Sequence, residues 1–435
     1  MTALSPPLDD PWPAPHPVAH VERSIRLPGS KSLTNRALIL AALADGPSRI
    51  KHPLRSRDTL LMAAALRSLG TDVSDAGPGT PPGEWAVAAR AWHRDAQIDC
   101  GLAGTVMRFV PPVAGLARGR ISFDGDPHMR RRPVGPMLGA LTDLGLTIED
   151  GGRRALPFTV DGAGSVRGGR VVIDASASSQ FVSALLLAGA TYERGVEVVH
   201  EGAPIPSQPH IDMTLTMLAE RGVVVDADQA DRWVVSPGPI RALDVTIEPD
   251  LSNAAPFVGL AAAVGGDVTV LDWPTTTTQP GDQLRTILTQ MGCTVTRDER
   301  GVRVIGPDAL EGIDLDMHEI GELTPAVAAL CALAQTPSHL YGIEHIRGHE
   351  TDRLAALSTE LTGLGADVTE HRDGLTIRPA PLHGGVFHTY ADHRMAHAGV
   401  ILGAAVPGVL VEDVATTAKT FPQFAPTWAA FVSGR

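Results

Sequence analysis

The sequence predicts an α/β fold built from six repeated units. A helix of small apolar residues followed by a turn and a strand recurs at 35–50, 105–123, 180–199, 253–270, 324–340 and 393–411. The starts are 70, 75, 73, 71 and 69 residues apart, which is too regular for chance. Five units carry a second, Leu-rich helix before a further strand, at 59–73, 136–148, 212–225, 282–295 and 353–368, and 422–431 takes that role in the sixth. Each unit should therefore run strand, helix, strand, helix, strand, strand.

The length divides these units between two domains. At 435 residues the chain is too long for one ordinary core, so two domains of three units each are expected. The first three units lie before Glu248-Pro249-Asp250 and the last three follow it. We therefore expect an N-terminal domain over 30–249 and a C-terminal domain over 250–435. Residues 1–20 are rich in proline and are predicted to form a disordered tail.

Composition is typical of a cytoplasmic globular protein. The apolar fraction is 43% and no apolar run is long and clean enough to span a bilayer. The N-terminus lacks the basic and apolar regions of a secretory signal. Three scattered cysteines, Cys100, Cys293 and Cys331, argue against a disulfide framework and a Cys-rich zinc site. A net charge of −13 disfavours nucleic acid and anionic membranes as partners, so positive charge for an anionic substrate must be local.

Residues 28–36, Pro-Gly-Ser-Lys-Ser-Leu-Thr-Asn-Arg, have the features of an anion site. The Pro-Gly pair should end the preceding strand, and 37–43 is predicted to continue as an apolar helix. Lys31, Ser32 and Arg36 would then lie beside a helix N-terminus, where free N–H groups and the helix dipole favour negative charge. The stretch is not a Walker loop, because the glycine spacing of that motif is absent.

Seven motifs in a fixed order carry a resemblance over about residues 25 to 424. They are Gly-Ser-Lys-Ser-Leu-Thr-Asn-Arg (29–36), Ala-Gly-Thr-Val-Met-Arg (103–108), Arg-Arg-Pro-Val-Gly (131–135), Ser-Ser-Gln-Phe (178–181), Glu-Thr-Asp-Arg (350–353), Asp-His-Arg-Met-Ala (392–396) and Thr-Ala-Lys-Thr-Phe-Pro (417–422). In this order they closely resemble the 3-phosphoshikimate 1-carboxyvinyltransferase (EPSP synthase) family.

The resemblance implies an arrangement for the repeats. Each domain would hold three βαβαββ units about a pseudo-threefold axis, the inside-out α/β barrel of enolpyruvyl transferases. The chain would cross between the domains twice, so 21–29 would belong with the C-terminal domain. The active site would occupy the interdomain cleft, which we expect to close when anionic substrates screen the repulsion between its cations.

The resemblance also implies two substrates and their ligands. Shikimate 3-phosphate would be bound by Lys31, Ser32, Arg36, Ser178, Ser179, Gln180, Ser207, Glu322 and His349. Phosphoenolpyruvate would be bound by Lys31, Gly104, Arg132, Gln180, Arg353, Arg394 and Lys419. No cofactor and no metal are expected, and the protein is expected to be a monomer.

The implied reaction transfers the enolpyruvyl group of phosphoenolpyruvate to the 5-hydroxyl of shikimate 3-phosphate, in the shikimate pathway to aromatic amino acids. The hydroxyl adds to C2 while C3 is protonated, and phosphate then leaves as C3 loses a proton. Glu322 matches the family's proton acceptor, where aspartate is more usual, and Glu350 and Lys31 are the candidates at C3.

The chain departs from the family pattern at several positions. Leu102 replaces an asparagine and Phe109 a frequent proline. His349 replaces a lysine, His345 an asparagine and His210 a frequent tyrosine, which puts substrate contacts by these histidines in doubt.

Three other functions remain to be weighed. UDP-N-acetylglucosamine enolpyruvyl transferase shares the fold, but it uses a cysteine in the loop matching 124–133, and this loop has none. A metal hydrolase is suggested by the i, i+4 pairs His345/His349 and His393/His397, although neighbouring arginines would repel a cation. A non-catalytic binding protein is disfavoured because the candidate catalytic residues are retained.

Overall fold

The computed structural model of the chain describes residues 10–77, 83–90, 92 and 95–434. The chain separates into two compact units, which we call the central unit, Pro28–Glu248, and the terminal unit, formed by the chain up to Leu27 together with Pro249 onward. The sequence placed these divisions at 29/30 and 249/250. Within the described ranges, no helix combines the length and the apolarity that crossing a membrane requires.

The prediction of a disordered tail over residues 1–20 is wrong for its second half. Strand β1 (Trp12–Pro13) pairs antiparallel with Val411 and Leu410, and the Trp12 side chain is buried in the core of the terminal unit. The physical reason is that one large aromatic residue gives this proline-rich stretch apolar area to bury. Residues 1–9 lie outside the described part of the chain. Strand β2 (Glu22–Ile25) also belongs to the terminal unit.

The central unit contains the first three repeats. Its helices are α1 (Lys31–Ala42), α2 (Arg57–Leu69), α3 (Gly104–Ala114), α4 (Gly135–Asp143), α5 (Gln180–Gly189) and α6 (Pro209–Glu220). Its strands are β3 (Ser48–Lys51), β4 (Asp72–Asp75), β5 (Trp85–Ala88), β6 (Ala96–Asp99), β7 (Arg118–Asp124), β8 (Thr147–Glu149), β9 (Phe158–Ala163), β10 (Gly169–Ile173), β11 (Val196–His200), β12 (Val225–Asp226), β13 (Arg232–Val235) and β14 (Val245–Thr246).

The terminal unit contains the other three repeats. Its helices are α7 (Ala255–Val264), α8 (Leu284–Gln290), α9 (Thr324–Ala332), α10 (Arg353–Gly363), α11 (His393–Ala405) and α12 (Phe424–Ser433). Its remaining strands are β15 (Asp267–Leu271), β16 (Thr294–Asp298), β17 (Gly301–Ile305), β18 (Asp314–Asp316), β19 (Ser338–Tyr341), β20 (Asp367–His371), β21 (Gly374–Arg378), β22 (Gly385–Phe387) and β23 (Val409–Val411). Several helices are preceded by 3-10 turns.

The strands form small sheets with one repeated topology. Among the described residues, five sheets have four strands, in the orders β14-β3-β5-β4, β6-β7-β9-β8, β10-β11-β13-β12, β2-β15-β17-β16 and β18-β19-β21-β20. In each, the first two strands are parallel and the other pairings are antiparallel. The sixth sheet, β1-β23-β22, has three strands. The predicted βαβαββ repeat and the α/β class are confirmed.

Each unit is built around one set of almost fully buried helices. Helices α1, α3 and α5 lie in the core of the central unit, and α7, α9 and α11 pack against one another in the terminal unit. Their small apolar residues cover the whole helix surface rather than one stripe, which is the pattern of a helix surrounded by protein. The first turn of each helix therefore holds its side chains in a fixed position at the edge of a packed core.

Candidate active site

Three helix N-termini of the central unit carry predicted ligands. Lys31 begins α1, Gly104 begins α3 and Gln180 begins α5. Two of these ends are linked, because Arg108 in α3 donates from Nη1 to Gln180 Oε1 at 2.8 Å. A Cβ atom at Gly104 would lie 3.0 Å from Arg108 Nη1 and 3.2 Å from Arg132 Nη1, so glycine here allows two guanidinium groups to approach the helix end. Such an end favours an anion.

Arg36 is a buried cation held by neutral groups. Its side chain is 1% exposed, and it donates to Thr214 Oγ1 at 2.8 Å and to the His210 carbonyl at 2.9 Å. Weaker bonds go to the Ser32 carbonyl and to Ser183 Oγ. Among the described residues it has no carboxylate partner, and burial lowers its pKa to about 9, which still leaves it charged at neutral pH. A buried charge of this kind is stabilised by an anion, so the site favours an anionic ligand.

The remaining predicted residues of the central unit lie at helix starts. Lys31 Nζ is 3.6 Å from Asp58 Oδ2, in the first turn of α2. Ser178 Oγ accepts from the Gln180 N–H at 3.3 Å, and buried Ser179 precedes that helix. Ser207 has a left-handed backbone, with φ +58°, just before α6. Ser32 is half-buried in the first turn of α1.

Glu322 is positioned by a serine that also holds a predicted phosphoenolpyruvate ligand. It lies in the 3-10 turn His318–Leu323, where its Oε1 accepts from the Ser252 hydroxyl. The main-chain carbonyl of Ser252 accepts from Arg394 Nη1 at 2.9 Å. Ser252 itself is fixed by Asp250, whose carboxylate caps the 3-10 turn Leu251–Ala254. One buried turn thus connects the candidate base with a candidate cation.

Arg353 lies at the centre of a buried ion-pair network in the terminal unit. It begins α10, is 2% exposed, and donates from Nε to Asp392 Oδ2 at 2.7 Å and from Nη2 to Asp392 Oδ1 at 3.1 Å. Nη2 also donates to Glu350 Oε2 at 3.1 Å, and Nη1 lies 2.9 Å from His349 Nδ1. Although burial lowers it, the nearby carboxylates of Asp392 and Glu350 raise the pKa of Arg353 overall.

Glu350 joins this network to Lys419. Its second oxygen, Oε1, is 2.5 Å from Lys419 Nζ, and Lys419 is 8% exposed at the end of the 3-10 turn Val414–Lys419. Arg394 is 7% exposed in the first turn of α11, and its N–H is capped by Asp392 at 2.9 Å. Glu350 thus joins Arg353 to Lys419, and Asp392 joins Arg353 to the first turn of the helix that carries Arg394. A carboxylate bonded to an ammonium is suited to exchanging protons with a bound substrate.

The two histidine pairs that suggested a metal hydrolase can be located in the described part of the chain. Within the described ranges, no group of three or more His, Cys, Asp or Glu side chains is placed to hold an ion. The rings of His345 and His349 lie 5.9 Å apart, and those of His393 and His397 lie 6.1 Å apart. Burial, then His318 and Arg353, lowers the pKa of His345 to about 4. Burial, with Arg394 and Arg353 nearby, also lowers the pKa of His397, so both rings are neutral at pH 7.

Comparisons with known proteins agree on one family. The sequence pattern of EPSP synthase (3-phosphoshikimate 1-carboxyvinyltransferase) matches residues 15–428. The 3-phosphoshikimate 1-carboxyvinyltransferase of Kocuria rhizophila is 56% identical over 99% of this chain and 98% of its own. The chain belongs to the EPSP synthase family.

Two solved structures share the fold of this chain. An EPSP synthase from Acinetobacter baumannii matches with a TM-score of 0.78 and 23% identity, over 95% of this chain and 96% of that one. The enolpyruvyl transferase NikO from Streptomyces tendae matches with a TM-score of 0.73 and 17% identity, over 96% of each chain. Both likenesses support the enolpyruvyl transferase fold.

The structure adds residues to the site that sequence reasoning did not select. Arg108, Asp392 and Ser252 each contact a predicted ligand or the candidate base. Arg108 and Asp392 lie inside family motifs, so their positions are visible in the sequence, but the motifs do not indicate their contacts. Ser252 gave no signal beyond a serine near a helix start. The role of each became apparent only from its side-chain contacts.

Proposed function

We propose that the chain transfers the enolpyruvyl group of phosphoenolpyruvate to the 5-hydroxyl of shikimate 3-phosphate, releasing phosphate. Membership of the EPSP synthase family supports this reaction over the rival functions. The observation that carries the residue assignment is the position of Glu322, a carboxylate fixed by Ser252, whose carbonyl also holds the cation Arg394. A base and an anion-binding arginine that are both held by one buried turn suit a reaction between a hydroxyl and a phosphorylated acid.

In the central unit we assign the buried cation to the acidic groups of shikimate 3-phosphate. Arg36 has neutral partners only among the described residues, so an anion would provide its missing counter-charge. Ser32, Ser178, Ser179, Ser207 and Gln180 would add hydroxyl and amide contacts. Gly104, Arg132 and Lys31 would contact phosphoenolpyruvate, because glycine at position 104 lets the guanidinium groups of Arg108 and Arg132 approach the N-terminus of α3.

In the terminal unit we assign the cation network to phosphoenolpyruvate. Arg353 presents a planar guanidinium whose orientation is fixed by Asp392, as bidentate recognition of a carboxylate requires. Arg394 and Lys419 would bind further oxygens of the same substrate. His349 Nδ1 lies 2.9 Å from Arg353 Nη1, which places the ring beside this cation network, and we assign His349 to shikimate 3-phosphate.

The chemistry then follows from these positions. Glu322 would accept the proton of the 5-hydroxyl while the hydroxyl oxygen forms a bond to C2 of phosphoenolpyruvate. At the same time, C3 of phosphoenolpyruvate would gain a proton from Glu350 or Lys31. This gives a tetrahedral intermediate with a methyl group at C3. In the second step the C2–O bond to phosphate breaks, C3 returns a proton, and the double bond re-forms. The cations would stabilise the charge on the departing phosphate.

Phosphate release with two alternative acceptors tests this proposal. The protein is mixed with phosphoenolpyruvate and either shikimate 3-phosphate or UDP-N-acetylglucosamine, and phosphate is measured together with the product mass. We expect stoichiometric phosphate and enolpyruvyl product with shikimate 3-phosphate only. The proposal would be overturned if the protein turned over UDP-N-acetylglucosamine but not shikimate 3-phosphate. It would also be overturned if neither acceptor gave any turnover. We also expect a monomer by analytical ultracentrifugation.

A further inference from the structure

The sixth sheet is completed by the N-terminus of the chain. In the other five sheets, the second strand of the parallel pair has an antiparallel neighbour from its own repeat: β5, β9, β13, β17 or β21. In the sixth, β23 pairs with β1 in this position instead. Residues 10–14, which we call the N-terminal strap, therefore act as the missing strand.

The strap is fastened by several specific contacts. Trp12 is 8% exposed and belongs to the core of the terminal unit. The Ala14 N–H donates to the Val409 carbonyl at 3.1 Å, and the Asp413 N–H donates to Asp10 Oδ1 at 2.8 Å. A Cβ atom at Gly403 in α11 would lie 2.3 Å from the Ala14 methyl group, so the strap lies directly on that helix. The strap thus contacts both ends of β23 and the helix beneath it.

Asp413, which bonds to Asp10 of the strap, directly precedes the turn that ends at Lys419. Asp413 has a left-handed backbone, with φ +42°, and the 3-10 turn Val414–Lys419 begins at the next residue. The Asp413 carbonyl accepts from the Thr416 N–H at 3.1 Å, inside that turn. Residues other than glycine adopt this conformation uncommonly, so contacts that restrain Asp413 help to fix the start of the turn. Asp10 bonds the N–H of this same residue and so restrains the entry to the turn.

We propose that the N-terminal strap is a positioning element that holds the Lys419 turn in the geometry needed for phosphoenolpyruvate. The proposal rests on the ligand role assigned to Lys419 above. The region that matches the family pattern begins at residue 15, so the strap lies outside it. Without the strap, β23 would become an unpaired edge and the Asp413 N–H would lose its acceptor. The turn would then sample other conformations while the rest of the site stays in place.

Two disruptive strap variants and one conservative variant test this inference. Asp10→Ala removes one hydrogen bond and Trp12→Ala removes the buried anchor, whereas Trp12→Phe should restore most of the anchor. Val18→Ser, at a side chain that is 94% exposed, is the matched control in the same stretch. We expect the KM for phosphoenolpyruvate to rise about two- to tenfold in Asp10→Ala, the effect of losing about one hydrogen bond, with the KM for shikimate 3-phosphate unchanged. Amide hydrogen exchange should quicken within 409–420.

A further variant distinguishes a failure of the role proposed for the strap from a failure of the role proposed for Lys419. Lys419→Met is measured in parallel, and an unchanged KM for phosphoenolpyruvate there would overturn the role of Lys419 itself. If Lys419→Met is impaired but both strap variants keep wild-type exchange at 409–420 and wild-type KM, the strap does not position the turn. A uniform loss of thermal stability, with both KM values unchanged, would likewise overturn the proposal, because it would show a structural role only.

Discussion

Replacing Asp392 with asparagine should damage the site through Arg353 alone. Asp392 is fully buried and bonds Arg353 through both oxygens, while Oδ1 also caps α11 at the Arg394 N–H. Asparagine can keep the cap and one bond to Arg353. Its amide nitrogen would then face Arg353 Nε, so two donors would meet where a charged pair exists now. The guanidinium would lose its fixed orientation and keep its hydrogen bond to the Glu350 carboxylate.

The size of the effect can be worked from this geometry. Breaking one side of a buried ion pair costs about 3–5 kcal/mol, and the lower end applies because Glu350 remains. A hydrogen bond to a charged group is worth about 1.5–3 kcal/mol, so misaligning Arg353 should raise the KM for phosphoenolpyruvate about tenfold to a hundredfold. Urea unfolding measures the first effect and steady-state kinetics the second.

A matched control makes the result decisive. Asp367→Asn removes a carboxylate from an exposed pair with Arg378 at 3.4 Å in the same unit, and should change stability by less than about 1 kcal/mol. If Asp392→Asn lowers the free energy of unfolding but leaves the KM for phosphoenolpyruvate at the control value, Asp392 is structural. Arg353 would then not depend on it for binding.

Three further changes have distinct expected results. Glu322→Gln should lower kcat about 10²-fold or more with little change in either KM, because it removes a base but keeps its size; a variant retaining more than about a tenth of kcat would exclude Glu322 as the base. Arg36→Lys keeps the charge but loses the planar fork, so calorimetry should show about tenfold weaker binding of shikimate 3-phosphate, and equal affinity would place that ligand elsewhere. Partial burial, then Asp10 and Glu412, raises the pKa of Asp413, so its folded form binds a proton more readily than its unfolded form. The contribution of Asp413 to stability should therefore fall as pH rises from about 4 through the raised value. Asp413→Asn should melt at a higher temperature than wild type above this window and at the same temperature below it, and no difference at pH 8 would contradict that cause.

The fold was predictable because each repeat carries the same local signals. Small apolar helices at regular spacing mark the buried helices, and glycines mark their ends, so the five complete sheets follow from the sequence pattern. The sixth sheet could not be predicted in this way, because its third strand comes from the opposite end of the chain. That strand is anchored by a single buried residue, Trp12. One aromatic residue in a proline-rich stretch produces no hydrophobic periodicity from which a strand could be predicted.

The candidate site was predictable as a set of residues but not as a set of contacts. The motifs named Arg353 and Glu350 as ligand and catalyst, but they could not show that both belong to one network with Asp392 and Lys419. The partners of Arg36 come from α5 and α6, far away in the sequence. Such pairings depend on how the helices pack, and no local pattern in the sequence encodes them.

Deuterium incorporation tests the addition–elimination reaction most directly. The reaction is run in D₂O with phosphoenolpyruvate and shikimate 3-phosphate, and the vinyl C3 position of the product is examined by mass spectrometry and NMR. Protonation at C3 creates a methyl group that gains one deuteron and then loses one of its three hydrogens. The account therefore predicts deuterium in the vinyl group of the product. It also predicts one phosphate released for each molecule of product formed. A product that carries no deuterium at C3 would contradict it.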